Sequence, residues 1–299
     1  EDGIRDLVRS RGLGDVYKRQ SEGGSNDFGE MDFARNGLVP ASNNTRGLLA
    51  GGYVTPANVR DTKILFITIS TTGNSNDFGS LSEAQDQGAG INSPTRGVFA
   101  GCKNPARSDV ISFVTISTLG DAEDFGNLTT SKGAMPGASS STRGLIFGGD
   151  DGSNFINNID LITIPTQGNA IDFGNLTAPT QGNLAATGSS TRGLIGGGQR
   201  FPAQVNVIDL ITFSSTGNAI DFADLTVARG QTSGSGSQTR GIFGGGQPGP
   251  SVVDTIDYVT IASTGTNAVD FGNLTSTRRM LTAASSPTRS LFFAGLTPS

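Results

Sequence analysis

Apolar residues along this chain come in short runs of at most five, separated by stretches of Gly, Ser, Thr and Asn. None recurs with the 3.6-residue period of an amphipathic helix, so almost no helix is expected. The runs have strand length and β-branched content, as in Val207-Ile208-Asp209-Leu210-Ile211-Thr212-Phe213. Read in order, they form a four-strand unit. Strand A is small and polar (Leu184-Ala185-Ala186-Thr187-Gly188), strand B ends in glycines (Leu145-Ile146-Phe147-Gly148-Gly149), strand C is the β-branched run, and strand D carries an Asp-Phe pair (Ile171-Asp172-Phe173-Gly174).

This unit recurs. A Thr-Arg pair places arginines at Arg46, Arg96, Arg143, Arg192, Arg240 and Arg289, at intervals of 50, 47, 49, 48 and 49 residues. The Asp-Phe pair keeps step, with Asp27, Asp77, Asp124, Asp172, Asp221 and Asp270. Two markers in register over six copies define a tandem array of units about 49 residues long. Aligning the copies shows strand C apolar on both faces. One column reads Ile64, Ile111, Ile159, Ile208, Ile256, and its opposite face carries Ile67, Val114, Ile162, Ile211, Val259. A sheet packed on both sides by neighbours has this signature. Burying the six phenylalanines after the aspartates contributes about 1.5–3 kcal/mol each. A core shared between repeats lets such a chain fold despite an apolar content of 34%.

Four short strands per repeat of this length predict a β-propeller. The order of small-polar strand, Arg-Gly, apolar pair, Gly-Gly (51–52, 148–149, 197–198 and 245–246), apolar strand, turn, aromatic and Leu resembles the kelch repeat. Phe173 and its equivalents stand where that repeat carries tryptophan, Thr and Ile replace its tyrosine, and one copy has Cys102 for the second glycine. The resemblance implies an all-β, six-bladed kelch-like propeller over residues 21–299. More closely, the wording Ile-Thr-Ile-Ser-Thr-Gly-Asn-Ala, Asp-Phe-Gly-Asn-Leu-Thr and Ser-Ser-Thr-Arg-Gly resembles repeats of virion structural and tail-fibre proteins of marine tailed phages. That likeness implies a particle or host-attachment component, its partners other virion proteins or a glycan or protein of the host surface. It places the protein in a virion, or outside or on a cell. The alternative is a secreted or surface propeller of a bacterium that binds carbohydrate or protein.

Residues 1–20 stand apart. They hold Arg9-Ser10-Arg11-Gly12-Leu13-Gly14-Asp15-Val16-Tyr17-Lys18-Arg19-Gln20, which resembles translated sequencing-adapter text at the edges of metagenomic reading frames. They are read as non-native and set aside from the fold. The last repeat must then join Arg289-Ser290-Leu291-Phe292-Phe293 to Asp27-Phe28-Gly29, with its strand C falling in residues 9–18. Only five clear strand C segments exist, so the closing blade is expected to be incomplete.

Composition narrows the chemistry. With His 0 there is no imidazole base or ligand, which also excludes the copper chemistry known in some kelch-like proteins. With Cys 1 there is no disulfide framework or multi-thiolate metal site, and Cys102 reads as a small packed thiol. A net charge of −5 without a basic stripe argues against nucleic acid, and the short apolar runs argue against membrane insertion. No cofactor or metal is expected, because no loop spaces its Asp and Asn like a calcium site. Ser25-Asn26-Asp27-Phe28-Gly29 resembles a sialidase Asp-box, but four copies lack its serine and the box is structural even there. An Asp/Glu-dependent glycoside hydrolase is therefore the least favoured function. The Asn-Leu-Thr sequons at 127–129, 175–177 and 273–275 recur with the repeat and mark turns.

Two sets of side chains remain as candidates. The six arginines either bond turn carbonyls or their own repeat's aspartate, or form a ring of cations for an anionic ligand. The B–C loops differ from copy to copy, and loops on a rigid scaffold are where binding concentrates. Tyr53, Lys103, Arg107, Phe155, Arg200 and Phe201 are the candidate recognition residues. The expected function is non-enzymatic: a structural or binding propeller.

Overall fold

A computed structural model describes residues 15–18 and 26–298, apart from 56, 104–105, 181–183 and 201. All its regular elements are strands, and no described helix is long and apolar enough to cross a membrane. Residues 39–80, 89–132, 137–175, 185–224 and 233–273 each form one four-stranded antiparallel sheet, in the order A-B-C-D predicted from the repeat. The third is representative, with strands Gly137–Ser139, Arg143–Phe147, Asn158–Thr163 and Ile171–Asn175. A sixth sheet joins the two ends of the chain. Thr282–Ser285 and Arg289–Phe293 supply its strands A and B, Asp15–Lys18 its C, and Asn26–Asp27 its D. The expected gap in this sheet is thus filled: Asp15 to Lys18 pair with Phe292 to Arg289. The strand lies inside the segment set aside as non-native, and its outer neighbour has only two residues. The architecture is all-β, built of four-stranded antiparallel sheets, and compatible with a β-propeller.

Local chemistry makes each sheet. At the A–B turn a side-chain oxygen folds back onto the backbone: Asn43 Oδ1 accepts from the N–H groups of Thr45 and Arg46 at 2.9 and 2.8 Å. Ser189 does the same for Thr191 and Arg192. This Asx/Ser turn explains the fixed Asn or Ser three residues before each arginine. Between strands C and D the Asp-Phe-Gly segment is a β-bulge. Asp172 pairs with Asp160 and Gly174 with Ile159, leaving Phe173 as the extra residue. The same skip occurs at Phe78, Phe125, Phe222 and Phe271. A bulge re-aims its extra side chain, and here it sends the phenylalanine into the core.

That core lies between sheets. One cluster joins Phe147, Ile159, Leu161 and Phe173 of the third sheet to Ile195, Ile211 and Phe213 of the fourth, and the other clusters repeat the arrangement. The A strands also meet: 39–42 contacts 89–92, which contacts 137–139, then 185–188, 233–236 and 282–285, which returns to 39–42. At that last contact Ser42 Oγ donates to the carbonyl of Ser285 at 3.2 Å.

Candidate functional site: seams, loops and an axial cavity

The six arginines sit at the start of strand B. Arg46 Nη1 donates to the carbonyl of Ile116 at 2.8 Å, Arg96 to Ile164 at 2.8 Å, Arg143 to Phe213 at 2.6 Å and Arg192 to Ile261 at 2.9 Å. Arg289 reaches Ile69 and Ser70 at 3.2 and 3.0 Å. Every one of these acceptors lies just after strand C of the following sheet, and for Arg289 that sheet is the first. The N–H of the same residue is held by its own A–B turn, as Ile164 N donates to Thr142 O at 2.8 Å. Where strand C offers an aromatic ring, the guanidinium also lies over it: Arg46 on Phe66, Arg96 on Phe113 and Arg240 on Tyr258, at 4.6–4.9 Å. The arginines thus clasp one repeat to the next.

The Asp-Phe-Gly aspartates face solvent, and two of them, Asp172 and Asp270, accept from the N–H of the glycine two residues on. Their glycines have a tighter role. Gly79, Gly126 and Gly174 have φ of 155°, 145° and 145°, and a Cβ on any of them would lie 2.2–2.5 Å from the carbonyl oxygen of the next repeat's turn glycine. That turn is also bonded to strand D: Gly168 N donates to Phe125 O, Gly217 N to Phe173 O, and Asn218 Oδ1 accepts from Asn175 N. The outer strand's edge is thereby partly covered by the following repeat.

A third seam contact is ionic and buried. Lys132 ends strand D of the second sheet and pairs with Asp160 in strand C of the third at 3.1 Å, both side chains 0% exposed. Arg229 and Asp257 repeat this between the fourth and fifth sheets at 3.1 Å, again with both at 0%. At the intervening seam the equivalent residue is Thr180, and Arg200 of the B–C loop serves Asp209 instead, at 3.6 Å. Threonines of the Asn-Leu-Thr or Asp-Leu-Thr segments complete these sites: Thr177 Oγ1 donates to Asp209 at 2.7 Å and Thr226 Oγ1 to Asp257 at 2.8 Å. Burial lowers the Lys132 ammonium pKa against the pull of Asp160, and burial likewise lowers that of Arg229 against Asp257. Burial raises the Asp209 carboxyl pKa despite its bonds to Thr177.

The B–C loop candidates do not form one free patch. Tyr53 lies in a small sheet of Ala34–Asn36, Tyr53–Thr55 and Val59–Arg60, with the Arg60 guanidinium 5.4 Å from its ring centre. Arg107 is ion-paired to Asp150 and donates to the carbonyl of Lys103 at 2.7 Å. Phe155 forms a β-bridge with Asp150 within the third repeat's own B–C loop. Arg200 donates to Thr180 and Thr177 beside Asp209. Phe201 lies outside the described residues. Arg107, Phe155 and Asp150 are brought together; Tyr53 and Arg200 belong to other loops.

Nothing in the repeat pattern pointed to a cavity of about 830 Å³ walled by the A strands and A–B turns of all six repeats. Pro40, Gly90, Gly137, Ala186, Gly234 and Ala283 hold one aligned level of its wall. These residues must be small: a Cβ on Gly90 would lie 1.7 Å from Pro40 O, and one on Gly234 would lie 2.2 Å from Ala186 O. Around the A–B turns the wall is Asn, Ser, Gln and Thr, and Arg240 is its one charged residue among those described. An alignment of the strand A columns for residue size would have revealed it. No group of three or more Asp, Glu or Cys side chains suited to a metal occurs among the described residues. Compared with known proteins, the chain matches no protein-family model and no curated protein.

Proposed function

We propose that the chain is a six-bladed, kelch-like propeller serving as a non-catalytic binding and structural module, in the setting of a phage virion or tail fibre. The observation that supports this most is the division of labour among its polar residues. The recurring arginines and strand C aspartates are engaged in joining neighbouring repeats. The residues that differ between copies lie on the B–C loops, while the A strands wall a nearly uncharged cavity. Rigid seams with variable ends suit a scaffold that presents surfaces, and the likeness to virion repeats supplies the setting. A 30.6 kDa module of this kind would engage partner virion proteins or a host-surface glycan or protein.

A glycan and cell-surface binding screen of the purified chain tests the reading. Saturable binding that is lost in Tyr53→Ala or Phe155→Ala, with the fold unchanged by circular dichroism, supports it. Catalytic turnover of a bound glycan, abolished by substituting a carboxylate, would overturn it in favour of a hydrolase.

A further inference from the structure

We infer that the end of the cavity formed by the A–B turns is a binding site for an oxyanion group, a carboxylate or sulfate, either as the free ion or carried on an acidic saccharide. This end lies across the sheets from the B–C loops, and the inference holds whether or not those loops bind a host surface. Strand order sets three layers around it. The A strands and their turns wall the cavity, the Thr-Arg arginines begin the B strands behind them, and the Asp-Phe-Gly aspartates lie on the outermost D strands. Among the described residues no Asp or Glu lines the wall. Arg46, Arg96, Arg143, Arg192 and Arg289 are half-buried and bond main-chain carbonyls, and none of the five is within ion-pair distance of a described carboxylate. Arg107, Lys132 and Arg229, near the other end of the sheets, each have one. A carbonyl supplies a dipole but no net charge, so each of these guanidiniums keeps its charge. Charges of one sign around a cleft focus their field into it.

The turns supply matching donors. A hydroxyl has two lone pairs and one proton. Ser93 Oγ accepts from the N–H groups of Thr95 and Arg96 at 3.3 and 3.0 Å, and Ser140, Ser189 and Ser237 do the same within their own turns. With the lone pairs engaged, the proton is what remains to give. Its partners within the turns are distant: the hydroxyls of Thr95, Thr191 and Thr239 at 3.5, 3.3 and 3.3 Å, and the Arg143 carbonyl at 3.5 Å. A good O–H···O bond spans about 2.5–3.0 Å. All four serines line the cavity. Gln238 at a neighbouring turn tip likewise commits its Oε1 to Ser190 N at 2.8 Å and keeps its amide protons for the mouth. A neutral sugar brings hydroxyl protons that need acceptors, and these acceptors are committed. The described wall also has no aromatic ring on which a neutral sugar could stack. An oxyanion brings acceptors and charge together, and hydrogen bonds to an ionised acceptor are about twice as strong as neutral ones. The donor set therefore selects the anion.

Titration of the full chain with sodium sulfate, with trigalacturonate and with the methyl ester of trigalacturonate, at constant ionic strength, tests this. We expect saturable binding of the acid at one site per chain, the ester binding at least tenfold more weakly. Sulfate that competes with the acid assigns the site to the oxyanion itself, and binding of trigalacturonate without sulfate assigns it to the acidic saccharide; either supports the inference. Gln238→Glu keeps the acceptor for Ser190 and adds a negative charge at the mouth, and should weaken binding about tenfold or more with the circular dichroism unchanged. Gln204→Glu makes the same change on a side chain that accepts from Gly249 N in the B–C loops, and should leave binding within about twofold, as should Tyr53→Ala. Equal binding of acid and ester, no binding of sulfate or trigalacturonate, or a Gln238→Glu chain that binds as the parent does would overturn the inference.

Discussion

Arg143 and Gly174 show how single residues hold this molecule together across its repeats. Arg143 places a charged donor 2.6 Å from the Phe213 carbonyl, at the point where the next sheet's strand C ends. Arg143→Ala should cost about 1.5–3 kcal/mol, the range for a hydrogen bond to a charged group, with Arg143→Lys between the two. Denaturant midpoints of the three proteins check this. Gly174 is fixed by φ +145° and by a carbonyl 2.4 Å from where a Cβ would sit. The chain contains its own control. Ala223 holds the equivalent place in the fourth sheet, and the turn it faces spans 261–268, one residue longer than the 213–219 turn facing Gly174. The longer turn accommodates the methyl. Gly174→Ala is therefore expected to lower stability by more than about 2 kcal/mol, within the scale of overpacking and backbone strain. Ala223→Gly should shift it by about 1 kcal/mol or less. Thermal melts of both decide whether the clash or mere glycine content matters.

Among the elements, the seams between sheets carry the energetics. Lys132 and Asp160 are wholly buried, so removing one partner strands the other's charge. Lys132→Met should destabilise by about 3–5 kcal/mol, and Lys132→Met with Asp160→Asn should recover most of it while keeping the acceptor for Thr129. Asp209 gives a pH signature of definite sign. Its carboxyl titrates higher folded than unfolded, so the folded state holds the extra proton between the two values. Its contribution to stability then falls as pH rises from the ordinary carboxylate range through the raised value. The stability difference between the parent and Asp209→Asn should accordingly shift against the parent from pH 3 towards neutrality; a difference that moves the other way contradicts the buried-carboxyl account. Much of this level was legible in the sequence. The A–B turn, the strand C columns and the bulge phenylalanine all follow from local pattern, because each is decided within one repeat. The seam partners were not legible, because Thr129 and Asp160, or Arg143 and Phe213, belong to different repeats. The compensation of Thr180 by Arg200 explains why a loop residue that looked free for a ligand is occupied. Comparing the column Lys132, Thr180, Arg229 with Asp160, Asp209, Asp257 exposes the relation once the seam is known.

For the whole molecule, we propose that six sheets follow one another around an axis and that the last packs on the first. The six markers gave the number of repeats, but not the axial cavity, which exists only where six small-residue strands converge. They did place the last strand C within residues 9–18, and Asp15–Lys18 pairs there although its text departs from the repeat. Arg289 donating to Ile69, and Ser42 meeting Ser285, are the contacts that closure requires. The direct measurement is intramolecular cross-linking of Asn44→Cys with Thr288→Cys, exposed on the A–B turns of the first and sixth sheets, by a short bis-maleimide, the native Cys102 being buried. A closed ring predicts rapid monomeric cross-linking that is lost on unfolding. Cross-links only between chains, or none in the folded protein, would contradict it.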